Sequence, residues 1–147
     1  MPAQLGEPMN VSVEHIGAQQ FEVKARNQTL ICDQPSSQGG FDEGMTPPEL
    51  MLASLGTCAA YYAVDYLNSI HKEAGSGLRV RVTGRKAPNP ARIGSFEIEV
   101  ETPFLVSESE RRGLKKAIDR CLIHNTLMHP PAINVYIVDE SLQAGAA

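Results

Sequence analysis

The sequence contains no tryptophan, and aromatic residues make up only 5% of its 147 positions. It has no stretch of about eighteen apolar residues free of charge, so no membrane-spanning helix is expected. The first ten residues, MPAQLGEPMN, have neither a basic start nor an apolar segment, and no secretory signal is predicted. The length suits a single domain over residues 1–147, with a loose tail at 141–147.

Charge and cysteine are also sparse. Charged residues account for 20% of the chain and the net charge is −4, so nothing favours nucleic acid or an anionic membrane as a partner. The 3 cysteines are widely spaced and odd in number, unlike a secreted disulfide framework. Phosphate-loop, dinucleotide-binding and nucleophile-elbow motifs are missing, and a single C-x-x-H spacing does not indicate zinc. We expect a cytoplasmic protein with free thiols and no metal or cofactor.

The remaining residues predict secondary structure in the order βββ-α-ββ-α-β. Strands are predicted at 11–16, 21–25, 29–33, 78–82, 96–101 and 132–138, where β-branched and aromatic residues alternate with polar ones. Helices are predicted to start at the capping boxes Thr46/Glu49 and Ser107/Glu110. A loop at 34–48 precedes the first helix, and the helical region is predicted to end within 124–131, where two prolines forbid its continuation. Because helices and strands do not alternate strictly, an α+β fold with largely antiparallel sheets is favoured.

The first helix is predicted to run to about residue 73 and is apolar on every face. Met51, Leu55, Cys58 and Tyr62 form one stripe, and the other faces carry mainly leucine and alanine. A helix that is apolar all round is expected to be buried all round. About 25 residues span about 37 Å, so complete burial calls for a second chain.

Two cysteines stand on predicted helices, and two interpretations of them remain open. Cys58 and Cys121 are either buried fillers or a pair of thiols that face each other. A reactive thiolate needs a nearby cation, for which Arg26, in a turn between two strands, is a candidate. Glu49 already has a structural reason to exist as a capping residue, and Cys32, beside Asp33 on a short strand, is interpreted as structural.

The segments DQPSSQGGFDEGMTPPELMLASLGTCAAYY and CLIHNTLMHPPAINV resemble the OsmC/Ohr family of bacterial thiol peroxidases. The resemblance extends over roughly residues 10 to 139 and is strongest in P-x-E-L-x-L-A-x-L-G-x-C. It implies an OsmC-like fold with two long helices in an intertwined homodimer, with the active sites at the interface. Glu49 stands one residue later than the glutamate that pairs with an activating arginine in well-studied members, and Arg26 is the nearest match to that arginine.

The resemblance also implies a function. Cys58 is then the peroxidatic thiol that attacks an organic hydroperoxide, Cys121 resolves the resulting sulfenic acid as a disulfide, and a dithiol such as a lipoyl group reduces that disulfide. Two alternatives stay open. One is a weakly active or non-catalytic dimer that binds a small hydrophobic ligand, and the other is a redox sensor that signals through the Cys58–Cys121 disulfide.

Overall fold

In the computed structural model, which describes residues 5–70 and 77–139, the described part of the chain forms two antiparallel sheets and three α-helices. The first sheet contains β1 (Ser12–Gly17), β2 (Gln20–Ala25) and β3 (Gln28–Cys32), in that order. The second is the hairpin of β4 (Arg79–Ala87) and β5 (Arg92–Glu101). The helices are α1 (Pro47–Ser69), α2 (Glu108–Ile118) and α3 (Leu122–Met128). The α+β class and the antiparallel sheets are confirmed.

Both predicted helix starts are confirmed by their hydrogen bonds. At α1, the backbone N–H and the hydroxyl of Thr46 donate to Glu49 Oε2 over 2.8 and 2.9 Å. At α2, the N–H of Ser107 donates to Glu110 Oε2 over 2.6 Å, and the N–H of Glu110 donates to Ser107 Oγ over 3.2 Å. These bonds engage backbone donors that a helix start leaves unpaired. The predicted end of α1 near residue 73 lies outside the described residues.

Opposite charges face each other across the two strands of the hairpin. Arg79 stands opposite Glu101 and Arg81 opposite Glu99, with 3.5 Å between Arg81 Nη1 and Glu99 Oε2. The apolar side chains of the other face pack on α1, where a Cβ added to Gly56 would lie 3.0 Å from Val82 Cγ2. Glycine at this position therefore allows the close approach of α1 to β4.

The core lies along one face of α1 rather than all around it. Leu55, Ala59, Ala63 and Leu67 recur every fourth residue and are buried, and the last two form a cluster with Leu114 of α2. At the start of this same face Met51 is 40% exposed, and on another face Tyr61 is 67% exposed. The prediction that α1 is buried on all sides is therefore wrong for the single chain, because its neighbours in the chain cover only one side.

By length and composition alone, α1 could cross a membrane. This differs from the expectation that the chain has no membrane-spanning helix, which was based on the lack of a long apolar stretch without charge. The core helix of a globular protein passes the same test, and α1 contacts the second sheet, α2 and α3.

The second helical region differs from the prediction of one long helix that carries Cys121. α2 ends at Ile118, and Cys121 is the N-cap of a separate helix, α3. The thiol of Cys121 accepts a hydrogen bond from the N–H of His124 over 3.4 Å, as a capping side chain does. The helical region does end within 124–131, as its two prolines predict, although α3 first runs to Met128.

The predicted last strand at 132–138 does not form. Residues 131–139 are neither helix nor strand, and Ile133, Val135, Tyr136 and Ile137 are 82–92% exposed. A strand is defined by its ladder with a neighbour, and no strand in the described part of the chain pairs with this segment. The predicted loose tail at 141–147 lies outside the described residues.

Candidate active site

The structure brings Cys58 and Cys121 together. Cys58 lies on α1 and is partly exposed, whereas Cys121 lies between α2 and α3 and is fully buried. The Cys58 thiol is near enough to the Cys121 thiol to raise its pKa, and both cysteines are in the free form. The fold thus brings the two thiols near each other, and their roles stay predictions.

The surroundings of Cys121 favour the protonated form of its thiol. Burial raises the pKa of the Cys121 thiol, and the hydrogen bond and charge interaction with Cys58 raise that pKa further. The backbone N–H groups of His124 and Ile123 oppose this in part and lower it. A thiol with a raised pKa remains a donor at neutral pH, so Cys121 can donate its hydrogen to negative charge on the Cys58 sulfur.

Local sequence explains the position of each thiol. On α1, Cys58 is followed by Ala59 and Ala60, whose small side chains let other elements approach closely, and Ala59 is completely buried. Asp119 and Arg120 form the turn that ends α2, which places Cys121 at the start of α3 rather than on the α2 surface. α1 contacts both α2 and α3, so the junction between them is held against the middle of α1.

Glu49 lies away from Cys58. Nine residues of a helix turn through about 900°, which puts the two side chains on opposite sides of α1. The Glu49 carboxylate accepts two hydrogen bonds from Thr46, and its pKa is lowered by the backbone bond first and the hydroxyl bond second. Its position is that of a helix cap, and a catalytic contribution from Glu49 stays a prediction.

Arg26 lies in the tight turn between β2 and β3. Its φ of 54° is in the left-handed region, and the residue is exposed. Within the described residues, the first sheet packs mainly within itself, whereas α1 packs on the second sheet and the other helices. No contact between elements in the described part of the single chain therefore brings Arg26 close to the two thiols, and its role stays a prediction.

A buried aspartate that the sequence did not single out organises the loop before α1. Asp33 is 0% exposed and accepts hydrogen bonds from the N–H groups of Gln34, Phe41 and Glu43 and from the side chain of Gln20. Burial by itself raises the pKa of this carboxyl, but the hydrogen bonds outweigh burial and leave the pKa below its ordinary value. The available signal was its place at the end of a strand and before a Gly/Ser-rich loop.

Cys32 belongs to the same buried corner and not to the thiol pair. It is 6% exposed, and its backbone forms an isolated parallel β-bridge with Met45. Burial raises the pKa of its thiol, and the neighbouring Asp33 charge raises it further. These surroundings agree with a structural cysteine.

The chemistry of the site is that of two adjacent thiols of unequal exposure. The partly exposed sulfur of Cys58 can meet a substrate, and the buried sulfur of Cys121 can meet only Cys58 or a group bound there. In residues 5–70 and 77–139, no three His, Cys, Asp or Glu side chains are grouped so that they could hold a metal ion.

Comparison with known proteins gives both a family and a fold. The model of the OsmC-like protein family matches residues 40–136, which is more than half of the chain. No curated protein matches by sequence.

Solved structures share the fold at low sequence identity. A protein from Psychrobacter arcticus 273-4 superposes with a TM-score of 0.74 at 16% identity, with coverage of 84% of this chain and 91% of the other. An OsmC-like protein from Mycoplasma pneumoniae gives 0.67 at 19% identity, with coverage of 86% and 91%. An organic hydroperoxide resistance protein of Bacillus subtilis gives 0.56 at 17% identity, with coverage of 84% and 93%. At these identities the likeness carries the fold alone.

Proposed function

Because this chain belongs to the OsmC-like protein family, we propose that it reduces organic hydroperoxides with Cys58 as the peroxidatic thiol and Cys121 as the resolving thiol. The observation that carries the proposal is the proximity of the two thiols, which interact while one is partly exposed and the other is buried. Organic hydroperoxide resistance proteins are among the structures with this fold, which favours the same chemistry here.

The proposed reaction has three steps. The Cys58 thiolate attacks the terminal oxygen of ROOH, the O–O bond breaks, and Cys58–SOH forms while RO⁻ takes a proton from water to give ROH. The Cys121 thiol then attacks the Cys58 sulfur, which forms the disulfide and releases water. An external dithiol, such as a lipoyl-type group, reduces the disulfide, returns both thiols and becomes a disulfide itself.

The position of Cys121 supports the order of these roles. Its thiol is buried and protonated, which makes it a poor first nucleophile but a donor that stabilises negative charge on Cys58. Once Cys58 is oxidised, the neighbouring thiol is already in contact and can react before a second peroxide does. The pair thereby protects Cys58 from further oxidation to the sulfinic acid.

The working form is proposed to be a homodimer. Large apolar side chains are exposed on β1–β3, on one side of α1 and in residues 133–138. Surfaces of this kind mark sites of contact between chains. A second copy that covers these surfaces can also bring its Arg26 turn towards Cys58. Arg26 is then the proposed activating cation, and Glu49, held by Thr46, is proposed to act on the thiol only through the position of the helix start.

The test is turnover of cumene hydroperoxide with dihydrolipoamide as the reductant. The wild type is expected to consume peroxide catalytically, and Cys58→Ser is expected to lose this activity entirely because no other thiolate can reach the substrate. Arg26→Gln is expected to lower kcat/KM by about tenfold or more, as loss of a charge-assisted contact does. Arg79→Gln, a change of the same charge at the far end of β4, is the control.

Equal and slow peroxide consumption by the wild type and Cys58→Ser contradicts the proposal. That outcome favours the alternative of a dimer that binds a small hydrophobic ligand, because the fold and the apolar surfaces are retained without catalysis.

A further inference from the structure

A polar atom without a partner lies close in sequence to the proposed resolving cysteine. The Nδ1 atom of His124 is shielded from water and has no hydrogen-bond partner among the described residues. The His124 side chain as a whole is 29% exposed and lies at the edge of an apolar cavity of about 570 Å³, whose walls include Ile98 and Ile118. An unpaired polar atom that is removed from water destabilises the state that contains it. The reduced protein is therefore destabilised at this position.

A carboxylate stands just beyond hydrogen-bond distance of this nitrogen. Asp119 Oδ1 is 3.8 Å from His124 Nδ1, whereas an N–H···O hydrogen bond is about 2.7–3.2 Å long. Lys115 Nζ donates to both oxygens of the carboxylate, over 3.1 Å to Oδ2 and 3.4 Å to Oδ1. Each carboxylate oxygen can accept two hydrogen bonds, so Oδ1 retains an acceptor site. A movement of about 1 Å would let the imidazole N–H donate to it.

The turn that separates these two side chains also carries Cys121. Asp119 ends α2, Cys121 is the N-cap of α3, and His124 lies in the first turn of α3. In the reduced protein the Cys121 thiol accepts a hydrogen bond from the backbone N–H of His124, which ties the sulfur to that turn. A disulfide bond is shorter than any contact between two free thiols, so the Cys121 sulfur has to move towards Cys58 when the bond forms. This movement shifts the first turn of α3 relative to the end of α2.

We infer that His124 is a positioning residue for the Cys58–Cys121 disulfide. As the Cys121 sulfur leaves its capping position, the Nδ1–H group of His124 closes on Asp119 Oδ1 and holds the α2–α3 junction in the oxidised geometry. This inference rests on the proposed function and adds a residue that favours its resolving step. Because the His124–Asp119 hydrogen bond is open in the reduced protein and made in the oxidised one, it acts on the balance between the two forms.

The experiment measures the equilibrium between the dithiol and disulfide forms of the full chain. The protein is equilibrated with mixtures of reduced and oxidised dithiothreitol, so that disulfide formation passes two electrons and two protons to the oxidised reagent. Alkylation and mass spectrometry then give the fraction of linked Cys58 and Cys121 peptides. His124→Phe is expected to shift the equilibrium towards the dithiol by about three- to tenfold, the effect of one hydrogen bond. His129→Phe, an exposed change after the end of α3, is the matched control.

Rescue and stability separate positioning from packing. Asparagine places an N–H donor near the position of the imidazole Nδ1, so His124→Asn is expected to keep most of the wild-type equilibrium. The reduced form of His124→Phe is expected to melt at or above the wild-type temperature, because an apolar ring replaces an unpaired nitrogen beside an apolar cavity. A residue that only fills space gives the opposite result, with a lower melting temperature in both forms and no shift in the equilibrium.

The partner of His124 is tested by a double-mutant cycle. Asp119→Ala is expected to shift the equilibrium as His124→Phe does, and the double variant no further, because both changes remove the same bond. Lys115→Gln removes the other partner of Asp119 and should leave the equilibrium near that of the wild type. Additive effects, a failure of His124→Asn to restore the equilibrium, an unchanged equilibrium in His124→Phe, or no linked Cys58 and Cys121 at any reagent ratio overturns the inference. Failure of the proposed function is distinguished by cumene hydroperoxide turnover, since a chain without peroxidase activity still shows the shift in equilibrium.

Discussion

At the scale of single residues, the site depends on the different surroundings of two identical thiols. Cys58 and Cys121 interact with each other, yet one is partly exposed and the other is fully buried. Exposure and proton retention, rather than residue type, therefore separate the proposed attacking thiol from the proposed resolving one. The spacing of cysteines in the sequence could not establish this contact, because it arises from the packing of the α2–α3 junction on α1.

The residue with the clearest effect on stability is Asp33. Its buried carboxylate accepts hydrogen bonds from three backbone N–H groups and from Gln20, and its pKa in the folded protein lies below the ordinary value of 3.8. A carboxyl with a lowered pKa stabilises the fold at every pH above its ordinary pKa. That contribution is lost as pH falls from 3.8 through the folded pKa.

Asp33→Asn is expected to lower the melting temperature by several degrees at pH 7, because the asparagine amide turns an N–H group towards backbone donors. The difference from the wild type should shrink as pH falls from 3.8 towards the lowered pKa of the folded protein, below which the wild-type carboxyl is itself protonated. Asp42→Asn, an exposed change in the same loop at a φ of 60° that asparagine tolerates, is the control. Melting curves of the two variants that are displaced equally from the wild type at all pH values would falsify this role for Asp33.

At the scale of elements, the helix starts and the hairpin could be predicted because residues close together in the chain determine them. The capping boxes at Thr46 and Ser107 place the helix starts correctly, since their hydrogen bonds lie within four residues of the chain. The alternation of apolar and polar residues predicts the strands β4 and β5, which are neighbours in the chain and pair as a hairpin with Arg81 opposite Glu99. These features could be predicted because sequence neighbours decide them.

Elements that depend on distant partners were predicted less well. The segment 132–138 has the residues of a strand, but a strand also needs a neighbour, and the described chain offers none. The break between α2 and α3 was missed because Cys121 continues the apolar stripe of α2 while its thiol actually caps the next helix. The cavity between the start of α1 and the β4–β5 hairpin was missed for the same reason, since Met51 and Lys86 are brought together only by packing.

At the scale of the whole molecule, the single chain leaves apolar surfaces that a second copy is proposed to cover. Val13 of β1 pairs with Val23 and lies on the apolar face of the first sheet, with 62% of its surface exposed. Ser12 points to the opposite face of the same strand. The two positions allow the interface to be tested with matched changes.

The wild type is expected to sediment with twice the mass of one chain at micromolar concentration. Val13→Asp is expected to shift the equilibrium towards monomer or unfolded chain, because a charge cannot be buried unpaired in an apolar interface. Ser12→Asp should remain dimeric. A wild type that sediments as a single chain at all concentrations up to about 100 μM, a range in which specific interfaces remain closed, contradicts the proposed dimer.

The most direct test of the central claim is the fate of the two thiols after a single addition of organic hydroperoxide. Reduced protein receives one equivalent of cumene hydroperoxide without a reductant, and its peptides are analysed by mass spectrometry without reduction. We predict loss of two thiols per chain and a linked pair of peptides that contains Cys58 and Cys121, with Cys32 still free. In Cys121→Ser, one equivalent should instead leave Cys58 as the sulfenic acid, and a second equivalent should convert it to the sulfinic acid. The account is contradicted if Cys58 and Cys121 both remain free in the wild type after peroxide is added, or if a disulfide involves Cys32.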